Sequence, residues 1–158
     1  MRSSLKLLAL GAVLAIGAAG PLGAQTVDKA QIIKDRQALM KKNGADLGAV
    51  KAFLDGKADQ AKATAAATDL IQALQKIPSV FPPGSAGPNP EGKWGTKAEI
   101  WSDPQGFLAA RDTAVAKAGT LLTAVKSGDK ASVQTVYADL GKNGCAGCHD
   151  KFREQLTK

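Results

Sequence analysis

Apolar residues in the first half of the chain recur with the spacing of an amphipathic helix. From Val27 onward, Ile33, Met40, Leu47 and Leu54 return every seven residues, and further apolar positions widen the same stripe. Those further positions are Ile32, Leu39, Val50 and Phe53. This pattern predicts a long helix with one buried face, which Asp55-Gly56 would end.

Three more helical stretches come after it. An alanine-rich stretch from about 57 to 77 has high helix propensity and stops at Pro78. A Pro- and Gly-rich connection then covers residues 78 to 98. A third helix is predicted to begin near Ser102-Asp103-Pro104, and Ser127-Gly128-Asp129 separates it from a fourth. Four amphipathic helices joined by two short links and one long link predict an all-α four-helix bundle.

The N-terminal segment has the features of a secretory signal. Arg2 and Lys6 precede an apolar run, and small residues lead up to Ala24, so residues 1–24 are predicted to be a signal peptide. The run is shorter than the roughly 20 apolar residues of a membrane span, so the protein is expected to be soluble in the periplasm and not membrane-embedded. Residues 25–158 would form one domain.

The charge distribution argues against nucleic acid as a partner. The chain has 158 residues and a formal net charge of +7. The predicted signal holds two of the 21 basic residues and none of the 14 acidic ones, which leaves +5. These basic residues are scattered rather than gathered in a block. A mildly basic surface instead suits encounters with an acidic protein.

The sequence Cys145-Ala146-Gly147-Cys148-His149 is the signature of covalent haem attachment. On a helix the three reactive side chains would point to one side, so that two sulfurs tether the haem and the imidazole reaches its iron. A thioredoxin-type disulfide lacks its βαβ context here, and a zinc site lacks a fourth ligand. A structural disulfide would close a very short loop and leave His149 unexplained. Haem is therefore the favoured hypothesis.

With these features the chain resembles the class II c-type cytochromes, which comprise cytochrome c′ and low-spin relatives such as cytochrome c-556. The resemblance rests on three segments, in which the haem motif comes last: residues 36–44, residues 81–84 with 99–101, and residues 144–153. It implies an antiparallel four-helix bundle with one covalently bound haem c per chain.

The resemblance also implies site roles. Cys145 and Cys148 would tether the haem, and His149 would be the proximal iron ligand. Arg36 would bind a haem propionate, although a solvated helix arginine is an equal alternative. For three further residues it implies contact with the haem or with its proximal side: Trp101, Phe152 and Arg153.

Met40 leaves two functions open. Its thioether could be the second metal ligand with His149, which would make the protein an electron carrier with redox partner proteins. It could instead pack over an open iron, as in a cytochrome c′ that binds nitric oxide or carbon monoxide. The low-spin electron carrier is modestly favoured. An enzyme is not expected, because peroxide chemistry needs a distal acid–base group and the sole histidine is already assigned. A homodimer through the first two helices is a further implication of the family that the sequence does not decide.

Overall fold

A computed structural model describes residues 28–87 and 92–156. The predicted signal peptide, residues 1–24, lies outside the described residues.

Four long helical segments form an antiparallel bundle, as predicted. The helices are α1 (Lys29–Leu54), α2 (Gln60–Gln75), the single turn α3 (Glu99–Ser102), α4 (Pro104–Ser127), α5 (Lys130–Asp139) and α6 (Gly147–Phe152). Along the bundle α1 packs against α2, α2 against α4, and α4 against the C-terminal helical segment. In the part of the chain that the structure describes, no helix is long and apolar enough to cross a membrane.

Each long helix begins after an aspartate that caps it. The capping carboxylates accept hydrogen bonds from backbone N–H groups in the first turn; they belong to Asp28, Asp59, Asp103 and Asp129. Such caps satisfy donors that have no partner inside the helix. The second helix consequently begins at Gln60 rather than near Lys57, whereas the predicted Asp103-Pro104 start of α4 is confirmed.

The fourth helical segment continues without interruption into the cysteine motif. Between α5 and α6, residues Leu140–Ala146 form a π-helical turn. A π turn adds a residue to the helix and rotates the residues after it, and such turns are frequent at functional sites. Gly144 suits this place because a Cβ there would lie 2.9 Å from Leu140 Cδ1 and 3.4 Å from Ala114 Cα.

The face that α1 buries differs from the predicted stripe. Its buried residues are Arg36, Asn43, Asp46, Val50 and Phe53. The heptad positions Ile33, Met40, Leu47 and Leu54 are only half-buried. Val50 and Phe53 are confirmed as buried, and Leu39 and Met40 in the N-terminal half pack against the core from half-buried positions. Ile33 and Met40 are only half-buried because they also line a cavity.

Two short strands, which the sequence pattern does not predict, form a two-stranded sheet beside the end of α6. Strand β1 (Trp94–Thr96) pairs antiparallel with β2 (Arg153–Gln155), so that Thr96 faces Arg153 across the ladder. The long connection also forms a 3₁₀ turn at Ile77–Val80. The ladder therefore ties the end of this connection to the chain immediately after α6.

Candidate haem site

A cavity of about 410 Å³ opens between α1, the long connection, β1 and α6. Helix α1 contributes one face to it, at Ile33, Arg36, Gln37, Met40 and Lys41. The remaining walls come from Phe81, Gly87, Gly92, Lys93, Trp94, Gly95, Thr96, His149 and Arg153. Four residues singled out in the sequence thus meet in one cavity, although they come from opposite ends of the chain: Arg36, Met40, His149 and Arg153.

The cysteine motif spans the change from π to α geometry. Cys145 lies in the π turn, whereas Cys148 and His149 lie in α6. Both thiols are free and half-buried against the core. Burial raises the pKa of the Cys145 thiol, and burial together with the neighbouring Cys145 raises the pKa of Cys148. The single α-helix predicted through this motif is therefore replaced by a π turn at its first cysteine.

The surroundings of His149 lower its pKa and so favour the neutral imidazole at neutral pH. Burial lowers the pKa of its imidazole, the positive charge of Arg153 lowers it further, and Asp150 acts in the opposite direction. A neutral imidazole keeps a nitrogen lone pair free, which is the form that ligates a metal. The side chain is thus ready to bind iron from the cavity wall.

Arg36 is buried and braces the long connection. Its Nε donates to the Val80 carbonyl oxygen at 3.0 Å, and Nη2 donates to Ser85 Oγ at 2.9 Å and to the Ser85 carbonyl oxygen at 3.4 Å. The guanidinium also lies 4.2 Å from the centre of the Phe81 ring. Burial lowers the pKa of Arg36 to about 10, so it stays protonated at neutral pH. The alternative of a solvated helix arginine is therefore wrong.

Met40 lies half-buried on the α1 wall of the cavity. The Asn43 amide, one turn further along α1, donates from Nδ2 to Met40 Sδ at 4.0 Å. Asn43 Oδ1 is buried without a hydrogen-bond partner among the described residues. Met40 therefore faces the same cavity as His149, while its sulfur keeps a contact within its own helix.

Arg153 meets an aromatic residue that sequence reasoning did not assign to the site. Its guanidinium carbon lies 3.9 Å from the centre of the Trp94 ring. Arg153 Nε and Thr96 Oγ1 are both buried without hydrogen-bond partners among the described residues. The Trp-Gly-Thr segment carries two residues with high β-propensity, but three residues in a Pro- and Gly-rich connection are too weak a signal to predict a strand.

Trp101 and Phe152 lie behind the cavity rather than on its wall. Trp101 Nε1 donates to the carbonyl oxygens of Phe81 and Pro82, at 3.2 and 3.1 Å. Phe152 packs edge-on against Phe107, and Phe107 packs edge-on against Phe81. Since Phe81 does line the cavity, these two residues support its wall from the core.

The chemistry of the walls fits a haem. Over the described residues the lining includes a neutral imidazole, a thioether and four cationic side chains, and it includes no carboxylate. The cations are Arg36, Lys41, Lys93 and Arg153. A positively charged cavity wall that contains no carboxylate suits haem, because haem carries two negatively charged propionates.

Comparisons with known proteins identify the family of the chain. The sequence profile of the family described as Cytochrome C′ matches residues 31–153. The cytochrome c′ of Rubrivivax gelatinosus is 38% identical over 111 residues, which cover 68% of this chain and 82% of the relative. The cytochrome c-556 of Agrobacterium fabrum is 32% identical over 139 residues, which cover 85% of this chain and 88% of the relative.

Solved structures share the fold. The crystal structure of the Rubrivivax gelatinosus cytochrome c′ superposes with a TM-score of 0.68 at 32% identity, over 82% of this chain and 100% of that one. A variant cytochrome c′ from Alcaligenes xylosoxidans, in its nitric oxide complex, superposes at 0.70 with 24% identity, over 84% of this chain and 100% of that one. The match across nearly all of the described bundle, with the motif and cavity in place, shows that the chain belongs to the cytochrome c′ family of class II c-type cytochromes and carries one covalently attached haem c.

Proposed function

We propose that this protein is an exported, periplasmic electron carrier, in which Cys145 and Cys148 tether the haem and His149 and Met40 ligate its iron. The observation that carries the proposal is that His149 and Met40 line one cavity. When bound, the haem supplies reversible one-electron transfer between ferric and ferrous iron. The proposed location rests on the signal sequence predicted at residues 1–24.

The side chains around the cavity support a carrier rather than an enzyme. His149 is neutral and can donate a nitrogen lone pair, and Met40 offers a soft sulfur that favours reduced iron. The cationic wall residues compensate propionate charge. Ile33 and Phe81 make part of the wall apolar and restrict water. No second histidine exists in the chain to act as an acid–base group.

The test is the ferric near-infrared spectrum of the haem-loaded protein. Thioether ligation is expected to give a charge-transfer band that disappears in Met40→Ala. Ile33→Ala is the matched control, because it shortens another apolar side chain on the same cavity wall without removing a sulfur, and its spectrum should keep the band. If the wild-type protein shows no such band, Met40 ligation is wrong.

The Asn43–Met40 contact favours a second candidate, a gas-binding protein. A sulfur that accepts from Asn43 Nδ2 is held along α1, which would leave the iron open on that side. This candidate predicts a high-spin ferrous spectrum and rapid uptake of carbon monoxide or nitric oxide. A low-spin ferrous spectrum that resists carbon monoxide would contradict it and support the carrier.

Electron transfer also requires partners. We propose a redox partner protein with an acidic surface, since the chain is basic. Nucleic acid is not proposed as a partner. A homodimer through α1 and α2 is a separate proposal, which sedimentation at increasing protein concentration would test.

A further inference from the structure

Trp94 is unusual because it is large, aromatic and exposed, yet lies on the wall of the cavity. It keeps 45% of its surface accessible, and the ring stacks under the Arg153 guanidinium at 3.9 Å. Arg153 Nε is buried and makes no hydrogen bond to the described residues. The aromatic face is therefore a close contact of this cation, and the quadrupole of an indole ring attracts a cation placed above it.

The β-ladder explains why these two side chains meet. Thr96 is opposite Arg153, and Trp94 is opposite Gln155. Since side chains on a strand alternate between two faces, Trp94 lies on the same face as Thr96 and diagonal to Arg153. Backbone bonds extend the ladder at both ends: Lys97 N–H donates to the Phe152 carbonyl at 3.1 Å, and Leu156 N–H donates to the Lys93 carbonyl at 2.8 Å.

The ladder begins immediately after α6, so it also determines where Arg153 lies relative to His149. The two residues are four apart and line the same cavity. An arginine free in water would be mobile and screened by salt, whereas a stacked and partly buried one presents a fixed charge to the site.

We propose that Trp94 is a positioning residue that acts through Arg153, by holding the guanidinium beside His149. This rests on the proposed role of His149 as iron ligand. A fixed positive charge next to that ligand disfavours ferric iron, which carries one more positive charge than ferrous iron. Trp94 is therefore expected to raise the reduction potential of the protein, although its own exposed ring need not touch the iron or its ligands.

The experiment is a double-mutant cycle on the haem-loaded, full-length protein, with the reduction potential as the readout. The variants are Trp94→Leu, Arg153→Gln and the pair together. Each single substitution is expected to lower the potential. The Trp94→Leu shift should disappear in the Arg153→Gln background, because non-additivity measures coupling between two residues.

Two variants serve as controls. Trp94→Phe keeps an aromatic face and should restore much of the lost potential. Trp101→Phe changes the other tryptophan, which is bonded to the Phe81 and Pro82 carbonyls and does not line the cavity, and should leave the coupling intact. Because Trp94 is exposed, its replacement is expected to leave the far-ultraviolet circular dichroism spectrum, which reports the helical fold, unchanged.

The positioning role is overturned if Trp94→Leu leaves the potential unchanged, or shifts it equally with and without Arg153. Failure of the proposed His149 ligation, on which this role rests, is a different result: the haem spectrum would then be the same in His149→Ala as in the wild type. The cycle reports the Trp94–Arg153 coupling whichever result His149→Ala gives.

Discussion

At the scale of single residues, the distinctive feature is a buried arginine whose partners are backbone and hydroxyl oxygens. Arg36 is 7% exposed and bonds to Val80 and Ser85 across the site. Arginine suits this position because its planar fork can donate in several directions at once. The residue thus both braces the connection and lends positive charge to the cavity.

Replacing Arg36 with methionine should destabilise the protein by about 2 kcal/mol, because the oxygens of Val80 and Ser85 would lose the hydrogen bonds that the guanidinium donates to them. The measurement is the free energy of unfolding from urea titration. Arg36→Lys should recover less than half of the loss, since an ammonium cannot reproduce the fork.

Lys34→Met is the matched control on the exposed face of the same helix, and should change stability by no more than about 0.5 kcal/mol. Equal stability of Arg36→Met and the wild type would mean that the cost of burying the cation cancels its hydrogen bonds.

Among the secondary-structure elements, the π turn between α5 and α6 sets the orientation of the Cys-x-x-Cys-His motif. It contains Cys145, and it packs against α4 through Gly144, which is buried. The carboxylate of Asp139 precedes the turn and accepts from Asn143 Nδ2 at 2.6 Å and Lys117 Nζ at 2.5 Å. These two hydrogen bonds hold the pKa of Asp139 below its usual value. Packing and polar contacts therefore act together on this turn.

Gly144→Ala should destabilise the protein by about 1 to 3 kcal/mol, because the added methyl would press on Leu140 and on the backbone of α4 at Ala114. The fall in thermal midpoint measures this effect. Gly141→Ala, three residues earlier in the same turn, meets nothing within 4 Å and should be neutral or slightly stabilising. If Gly144→Ala were as stable as Gly141→Ala, α4 would have to shift at this contact without a loss of stability.

At the scale of the whole molecule, small residues let the helices approach closely around the core. Ala63 and Ala67 of α2 and Ala118 of α4 are fully buried. Alanine at these positions keeps the α2–α4 contact close, and larger core residues such as Leu70 and Leu121 fill the layers between them. The bundle is therefore sensitive to added volume at its centre.

Ala67→Leu should cost about 1 to 3 kcal/mol, because a close-packed interface has no room for three more carbon atoms. Ala65→Leu is the control, since Ala65 is exposed on the same helix and should tolerate the change within about 0.5 kcal/mol. The free energies of unfolding of the two variants, measured by urea titration, test this difference. A comparable loss in both would indicate that Ala65 also lies in an interface, such as one between two copies of the chain.

The four long helical segments, most of their ends and the cofactor were all predictable from the amino-acid sequence. Those features depend on local chemistry: apolar spacing, capping aspartates, proline and glycine stops, and a five-residue motif with the only cysteines and histidine. The predicted four-helix bundle and covalent haem c are both confirmed by the fold and the family.

Which side chains surround the cavity could be seen only in the folded chain. Periodicity cannot distinguish an apolar face that meets a helix from one that meets a cofactor, so Ile33 and Met40 were placed on one buried stripe, and the position of Arg36, at a propionate or in solvent, stayed undecided. The β-ladder joins residues 57 to 61 positions apart, and such pairing carries no local signal. Trp94 could consequently be assigned to the candidate haem site only from the fold, which places its ring against Arg153, four residues beyond His149.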